Sequence, residues 1–220
     1  MQYYWLNRNN NESLIIFFGG WSFDYKPFEF LECGNNDVLM FYDYTEPLLP
    51  ENIFDEKAYK NIRLVSWSMG VFIAYYLRDK LPEFSYKLAV NGTPFPVDNT
   101  RGIPERTFNL TLQYAETGLQ GKFYKNVFSN DEFLDRYNKA AVERSIPERV
   151  AELESLDKFI KSQSLTYDGK YYDSAIVGMQ DKIIPSKNQI NCWNDIAIKL
   201  ECGHFPFYNF NSWDEILQCR

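Results

Sequence analysis

A single histidine, His204, occurs in the chain, so any chemistry that needs an imidazole has only one place to happen. It stands in Glu201-Cys202-Gly203-His204-Phe205-Pro206, directly after a late strand pattern. A serine hydroxyl becomes a useful nucleophile when such a base lies within hydrogen-bond reach and a carboxylate orients the base. Far upstream, Ser68 sits in Ser66-Trp67-Ser68-Met69-Gly70, between the apolar run that starts at Ile62 and a helical pattern reaching about Lys80. A serine at that kind of corner is held on a sharp strand-to-helix turn with its hydroxyl exposed. The competing reading is that Ser68 only caps a buried helix. The carboxylate is expected between serine and histidine in chain order. Asp181 lies there, in Val177-Gly178-Met179-Gln180-Asp181, on the loop leaving a strand pattern. Asp173 precedes that strand and belongs at its other end, whereas Asp98 follows an earlier strand and is the rival acid. Donors for a developing oxyanion are expected from the backbone N–H of Met69 and from the Gly19-Gly20-Trp21 turn, with the N–H of Trp21 favoured and Gly20 freeing the backbone. A plain glycine turn with a packing tryptophan is the alternative there.

These residues need a scaffold that brings loops from distant parts of the chain to one edge. Tyr3–Leu6 reads as a short strand, and Leu14-Ile15-Ile16-Phe17-Phe18 is a continuous apolar run of the kind a strand covered on both faces shows. Asp37–Tyr42, the run into the Ser68 corner, Tyr86–Val90, Ser174–Gly178 and Ile196–Leu200 read as further strands, with a weakly helical stretch up to about Lys60. Leu81-Pro82 stops the helix that follows Ser68. Strands alternating with helices imply a mainly parallel sheet. From about Gly102 to Ser164 the pattern turns helical, at Thr107–Tyr114, Asp131–Lys139 and Glu148–Lys161. That block is longer than a plain crossover requires, which predicts a cap over the carboxyl ends of the strands. Ordinary crossover helices are the alternative.

Bulk properties exclude several function classes. The 220 residues suit one domain, residues 1–220 with a helical insert at about 102–164. A net charge of −7 argues against a nucleic-acid partner. No apolar run approaches the ~20 residues of a bilayer span, and the first residues lack a signal-peptide layout, so a cytoplasmic protein without membrane contact is expected. The four cysteines show no metal-ligand spacing and are expected to be free thiols. No motif asks for a metal or an organic cofactor, and a monomer is the expectation.

Strand, glycine turn, serine elbow, acid loop and histidine loop follow the order of the α/β-hydrolases: a mainly parallel sheet flanked by helices, with a small helical cap inserted before the last two strands. Here Ser66 replaces the first glycine of the Gly-x-Ser-x-Gly elbow. Within that fold the chain resembles the BioG-type pimeloyl-[acyl-carrier-protein] methyl ester esterases of biotin synthesis. The resemblance is carried by Phe17-Phe18-Gly19-Gly20-Trp21, Ser66-Trp67-Ser68-Met69-Gly70, Asn91-Gly92-Thr93-Pro94, Gly102-Ile103-Pro104 and Gly203-His204-Phe205-Pro206. It implies hydrolysis of the methyl ester at the distal end of a pimeloyl chain held on acyl carrier protein, with Ser68, His204 and Asp181 as the triad. A different small-acyl esterase, a thioesterase or a C–C hydrolase would use the same triad, and a non-catalytic binding module is the remaining alternative.

The insert also carries charge of its own. Residues 101–149 hold Arg101, Arg106, Lys122, Lys125, Arg136, Lys139, Arg144 and Arg149 against seven acids, a sum of +1 on a chain of −7. On charge alone this is an ordinary solvated surface. Because acyl carrier protein is acidic, the resemblance makes these eight residues candidates for docking it.

Overall fold

The apolar runs become the centre of a seven-stranded sheet. A computed structural model describes every residue except 129, 165, 168 and 220. The strands are β1 (Gln2–Asn7), β2 (Ser13–Phe18), β3 (Asn36–Tyr42), β4 (Asn61–Trp67), β5 (Tyr86–Val90), β6 (Ser174–Gly178) and β7 (Ala197–Leu200), in the order β1-β3-β2-β4-β5-β6-β7. Only β1 runs antiparallel, against β3; the other pairs are parallel. Leu14 through Phe18 and Val38 through Phe41 are fully buried, as central strands covered on both faces must be. Each such Leu, Ile or Phe contributes roughly 1.5–3 kcal/mol of transfer free energy.

The turn from β4 into α1 is tightly constrained. β4 ends at Trp67 and α1 (Met69–Tyr76) begins at Met69, leaving Ser68 at φ 56° and ψ −123°. A non-glycine residue there is strained and persists only when its neighbours fix it. They do: the Ser68 N–H bonds the Val90 carbonyl at 3.0 Å, and its carbonyl accepts from Val71 at 3.1 Å. A Cβ on Gly70 would collide with the carbonyls of Phe18 and Gly19, so the second small position is obligatory. Ser66 has its own task, which smallness alone did not reveal. Tyr172 donates its hydroxyl to the Val71 carbonyl at 3.0 Å, and Ser66 donates to that hydroxyl at 2.8 Å, tying β4 to the first turn of α1.

Between β5 and β6 the chain builds α2 (Glu105–Gln113), α3 (Ala115–Thr117), a π-turn (Gly118–Lys122), α4 (Phe123–Val127), α5 (Asp131–Lys139) and α6 (Ile146–Ser162). Position 129 of the expected insert lies outside the described residues. Ser145 and Glu148 form a reciprocal capping box that starts α6. The segment expected as a cap is the crossover between the adjacent parallel strands β5 and β6, and it meets the loops at the carboxyl ends of β2 and β7. The ring N–H of Trp21, after β2, bonds the Arg149 carbonyl at 2.8 Å, and Phe205, after β7, bonds the Val127 carbonyl at 3.1 Å. Beyond the cap come α7 (Ser186–Trp193) and α8 (Trp213–Gln218), neither of which the apolar pattern announces. The stretch before β4 forms only a short 3-10 turn at Glu56–Ala58 rather than a helix.

Candidate active site

Ser68, His204 and Asp181 come from three separate loops at the carboxyl edge of the sheet and meet in one chain of hydrogen bonds. His204 Nε2 lies 2.8 Å from Ser68 Oγ, and His204 Nδ1 lies 2.8 Å from Asp181 Oδ2. An ionised carboxylate can only accept, so the ring proton belongs on Nδ1 and Nε2 is left to accept from the serine hydroxyl. His204 is 2% exposed and Asp181 8%, which removes competing water.

Each member is held by groups that motif reading does not reveal. Asp181 Oδ1 accepts the N–H groups of Ile183 and Ile184 at 2.8 and 2.9 Å, and Oδ2 also accepts from Gln189 Nε2 at 2.9 Å. The histidine loop is fixed from beneath. Trp67 donates its ring N–H to the His204 carbonyl at 2.8 Å. The fully buried Asn91 donates to the carbonyls of Gly203 and His204 at 2.8 and 3.0 Å and accepts from Gly178 at 2.6 Å. Thus the residue after β5 bolts the histidine loop to the acid strand. The tandem of Asn91 with the glycine at 92 was visible as a motif; its partners were not.

Asp98 lies elsewhere, in a turn where it accepts from the backbone and hydroxyl of Thr100 and from Arg101. Burial pushes its carboxyl up, but those donors more than offset it and hold the group below the usual range. The four cysteines are free. Burial pushes the thiols of Cys192 and Cys202 up to about 12, so the cysteine two residues from His204 stays protonated and is a poor nucleophile.

The Gly19-Gly20-Trp21 turn packs directly on the serine. A Cβ on Gly20 would sit 3.1 Å from that of Ser68 and 2.9 Å from the Trp67 ring. Among the described residues none accepts the Trp21 backbone N–H. Ser68, Met69, Trp21 and His204 border a cavity of about 590 Å³, walled by Phe23, Trp67, Ile103, Phe108, Phe123 and Leu153. That volume falls within the roughly 300–1,000 Å³ of small-molecule sites. Leu110 of α2 and Tyr114, just after it, reach from the cavity wall into solvent, 46% and 56% exposed, so the cavity opens beside the cap. Lys122 and Lys182 are the cations on its lining. Aromatic rings also fill the core: Phe17 and Phe28 are buried against Phe205 and Phe207, which follow His204 in the chain.

The eight basic residues of the insert divide. Arg106, Lys122, Lys125 and Lys139 are exposed. Arg101 is exposed but stacks on Phe95 and pairs with Asp98, and Arg136 lies over Phe30 and Tyr208. Arg144 and Arg149 correct the expectation of a docking face. The Arg144 side chain is 8% exposed and pairs with Glu152 at 2.7 Å, while Arg149, 6% exposed, donates to the Tyr124 hydroxyl and the Ser145 carbonyl. Both point inward because buried acceptors wait for them. Among the described residues no group of side chains is arranged to hold a metal, and no helix is long and apolar enough to cross a membrane.

The model of the family described as "Pimeloyl-ACP methyl esterase BioG" matches residues 1–216. The chain belongs to the BioG family. The solved structure of BioG from Haemophilus influenzae superposes with a TM-score of 0.87 at 30% identity, covering 97% of this chain and 98% of that one. An uncharacterized protein of the same species is 32% identical over 93% of this chain and 94% of its own length. A malonyl-[acyl-carrier protein] O-methyltransferase of Bacteroides fragilis is 30% identical over 91% of this chain, which spans only 39% of that longer protein. An α/β-hydrolase fold protein from Burkholderia ambifaria, 14% identical with a TM-score of 0.64 over 98% of this chain and 91% of that one, shares the fold. This chain is therefore an α/β-hydrolase in architecture, with seven strands, a mostly parallel sheet and flanking helices.

Gln189 offers a local test of how the acid is held. Gln189→Ala removes one donor to a charged acceptor, a contact of about 1.5–3 kcal/mol. About a tenfold fall in kcat with KM unchanged is the expected outcome in steady-state ester hydrolysis, since the substituted residue does not line the cavity.

Proposed function

We propose that this BioG-family chain is a serine esterase that cleaves the methyl ester of pimeloyl-acyl carrier protein, giving pimeloyl-carrier protein and methanol, in biotin synthesis. The observation that carries this is the Ser68–His204–Asp181 hydrogen-bond chain at the base of an apolar cavity under the cap. Ser68 Oγ attacks the ester carbonyl while its proton passes to His204 Nε2, and the imidazolium is stabilised by Asp181. The N–H groups of Trp21 and Met69 hold the oxyanion. Collapse expels methanol, which takes the proton from His204. Water then gives a proton to His204 and attacks the acyl-enzyme, and a second collapse frees Ser68 and the pimeloyl carboxylate. An apolar wall favours the neutral ester over the charged product, which supports both release and discrimination against free acids. The protein from Bacteroides fragilis with a matching region is named for methyl transfer to an acid on acyl carrier protein, and removal of such a methyl is the complementary step.

Acyl carrier protein is the partner in this reading, met by the exposed Arg106, Lys122, Lys125 and Lys139 with Arg101 and Arg136 beside them. Methyl-pimeloyl carrier protein is expected to turn over, followed by the gel mobility of the demethylated product. Raising salt from 50 to 500 mM is expected to lower kcat/KM for this substrate several-fold while leaving a p-nitrophenyl ester unaffected, because surface charge attraction is screened within about 10 Å at 0.1 M. Equal salt responses would remove the basic face from the proposal. Preference for acyl-thioesters over the carrier-linked methyl ester would replace the substrate assignment.

A further inference from the structure

The oxyanion turn carries one internal hydrogen bond, from the Phe23 N–H to the Gly20 carbonyl at 3.3 Å. Ser22, immediately after Trp21, has φ 75°, a left-handed conformation that a non-glycine residue keeps only under external constraint. Three contacts from outside the turn add to that bond, and all lead to one helix of the cap. The Ser22 N–H donates to Glu152 Oε2 at 3.3 Å. The Trp21 ring N–H donates to the Arg149 carbonyl at 2.8 Å. The Gly19 carbonyl accepts the Tyr44 hydroxyl at 2.7 Å, and the Tyr44 N–H is itself held by Glu152 Oε1 at 2.9 Å. Glu152 thus lies at the centre of the clamp, on α6, fully buried.

Its charge is handled locally. Arg144 Nη1 donates to Glu152 Oε2 at 2.7 Å, and Nη2 pairs with Asp43 at 3.1 Å without hydrogen-bond alignment. On the far side of the turn, buried Asp24 accepts the N–H groups of Glu143 and Arg144 at 2.7 and 3.2 Å. Oxyanion turn and cap are therefore stitched together by carboxylates running in both directions. Burial pushes the Glu152 carboxyl above its ordinary value, with Arg144 and the Tyr44 N–H opposing the shift, and a buried charge is costly unless it is paired.

We infer that Glu152 is a positioning residue for the oxyanion hole: through Ser22, Tyr44 and the first turns of α6, the cap sets where the Trp21 N–H points. This rests on the esterase reading and extends it, since it makes the cap part of the machinery for charge stabilisation as well as a wall of the cavity. Arg144 and Arg149 belong to the same device.

The test uses p-nitrophenyl butyrate and an alkyl trifluoromethyl ketone, whose adduct with Ser68 places an oxyanion in the hole. Glu152→Gln keeps the shape but points an amide N–H₂ at a backbone N–H or at Arg144. With the turn misplaced, kcat is expected to fall about tenfold or more with KM within twofold, and the Ki of the ketone is expected to rise by the same factor as kcat/KM falls. Thermal unfolding establishes that the variant is folded. A folded variant with kcat within twofold of the parent overturns the inference, as does a loss of kcat with an unchanged Ki. If Glu152→Gln does not fold, Tyr44→Phe decides, because Tyr44 does not line the cavity and the change removes only its hydroxyl, which bonds the Gly19 and Phe41 carbonyls. A parallel loss of about threefold or more in kcat/KM and ketone affinity supports the clamp; no change in either refutes it. A parent protein that cleaves the small ester but not the carrier-linked one refutes the substrate assignment alone. One that cleaves neither refutes the esterase reading and the clamp's catalytic role together.

Discussion

Ser68→Ala is expected to abolish ester turnover, by about 10⁴–10⁶-fold, while leaving thermal stability unchanged or slightly higher. The magnitude follows from removing the nucleophile of a triad, after which only binding and the oxyanion donors remain to accelerate the reaction. The direction of the stability change separates two readings of the same residue. If Ser68 served as a helix cap, its loss would cost about 1 kcal/mol. In the structure its side chain caps nothing, and its hydrogen bond goes to His204. Alanine at φ 56° carries the same backbone strain as serine, which the Val90 and Val71 contacts continue to hold. Turnover, unfolding temperature and labelling by a fluorophosphonate together give the answer. A variant that loses stability but keeps activity would return Ser68 to the role of a cap.

How far such a site can be read from sequence depends on what kind of signal places each part. β2, β3 and β4 were legible because strands covered on both faces must be written in apolar residues, and Tyr86–Val90 and Ser174–Gly178 fell where the pattern put them. The histidine was legible by uniqueness. α7 was not, because much of its inward face is polar: Asn188 and Gln189 are buried there beside Trp193, Asn188 donating to the Gly102 carbonyl and Gln189 to Asp181. Amides on the buried side of a helix weaken its apolar period. The cap was visible as a block, yet its charges were misjudged in part. Arg144 and Arg149 read like Arg106 in sequence, since a charge does not disclose whether a buried carboxylate or carbonyl is waiting for it in three dimensions. Glu152, at the centre of the clamp, carried no motif at all.

Asp181→Asn is the second large effect, and the network around it dictates how it fails. Oδ1 is pinned by the N–H groups of Ile183 and Ile184, so the amide oxygen must take that place. The amide N–H₂ then occupies the site of Oδ2 and donates to His204 Nδ1. The ring proton moves to Nε2, which can no longer accept from Ser68. The same N–H₂ meets the Nε2 donor of Gln189. Relief by an amide flip would present the unpartnered Gln189 Oε1 but would give up the bond to the Ile184 carbonyl. A fall in kcat of about 10⁴ is expected, as for an orienting carboxylate converted to its amide in other triads, with KM little changed because Asp181 does not line the cavity. Asp98→Asn, whose carboxyl faces only its own turn, is expected to keep kcat within twofold on the same p-nitrophenyl ester. The paired measurement is decisive in either direction: if Asp98→Asn loses turnover and Asp181→Asn keeps it, the acid is Asp98 and the hydrogen bond to His204 Nδ1 is not the one that catalysis uses.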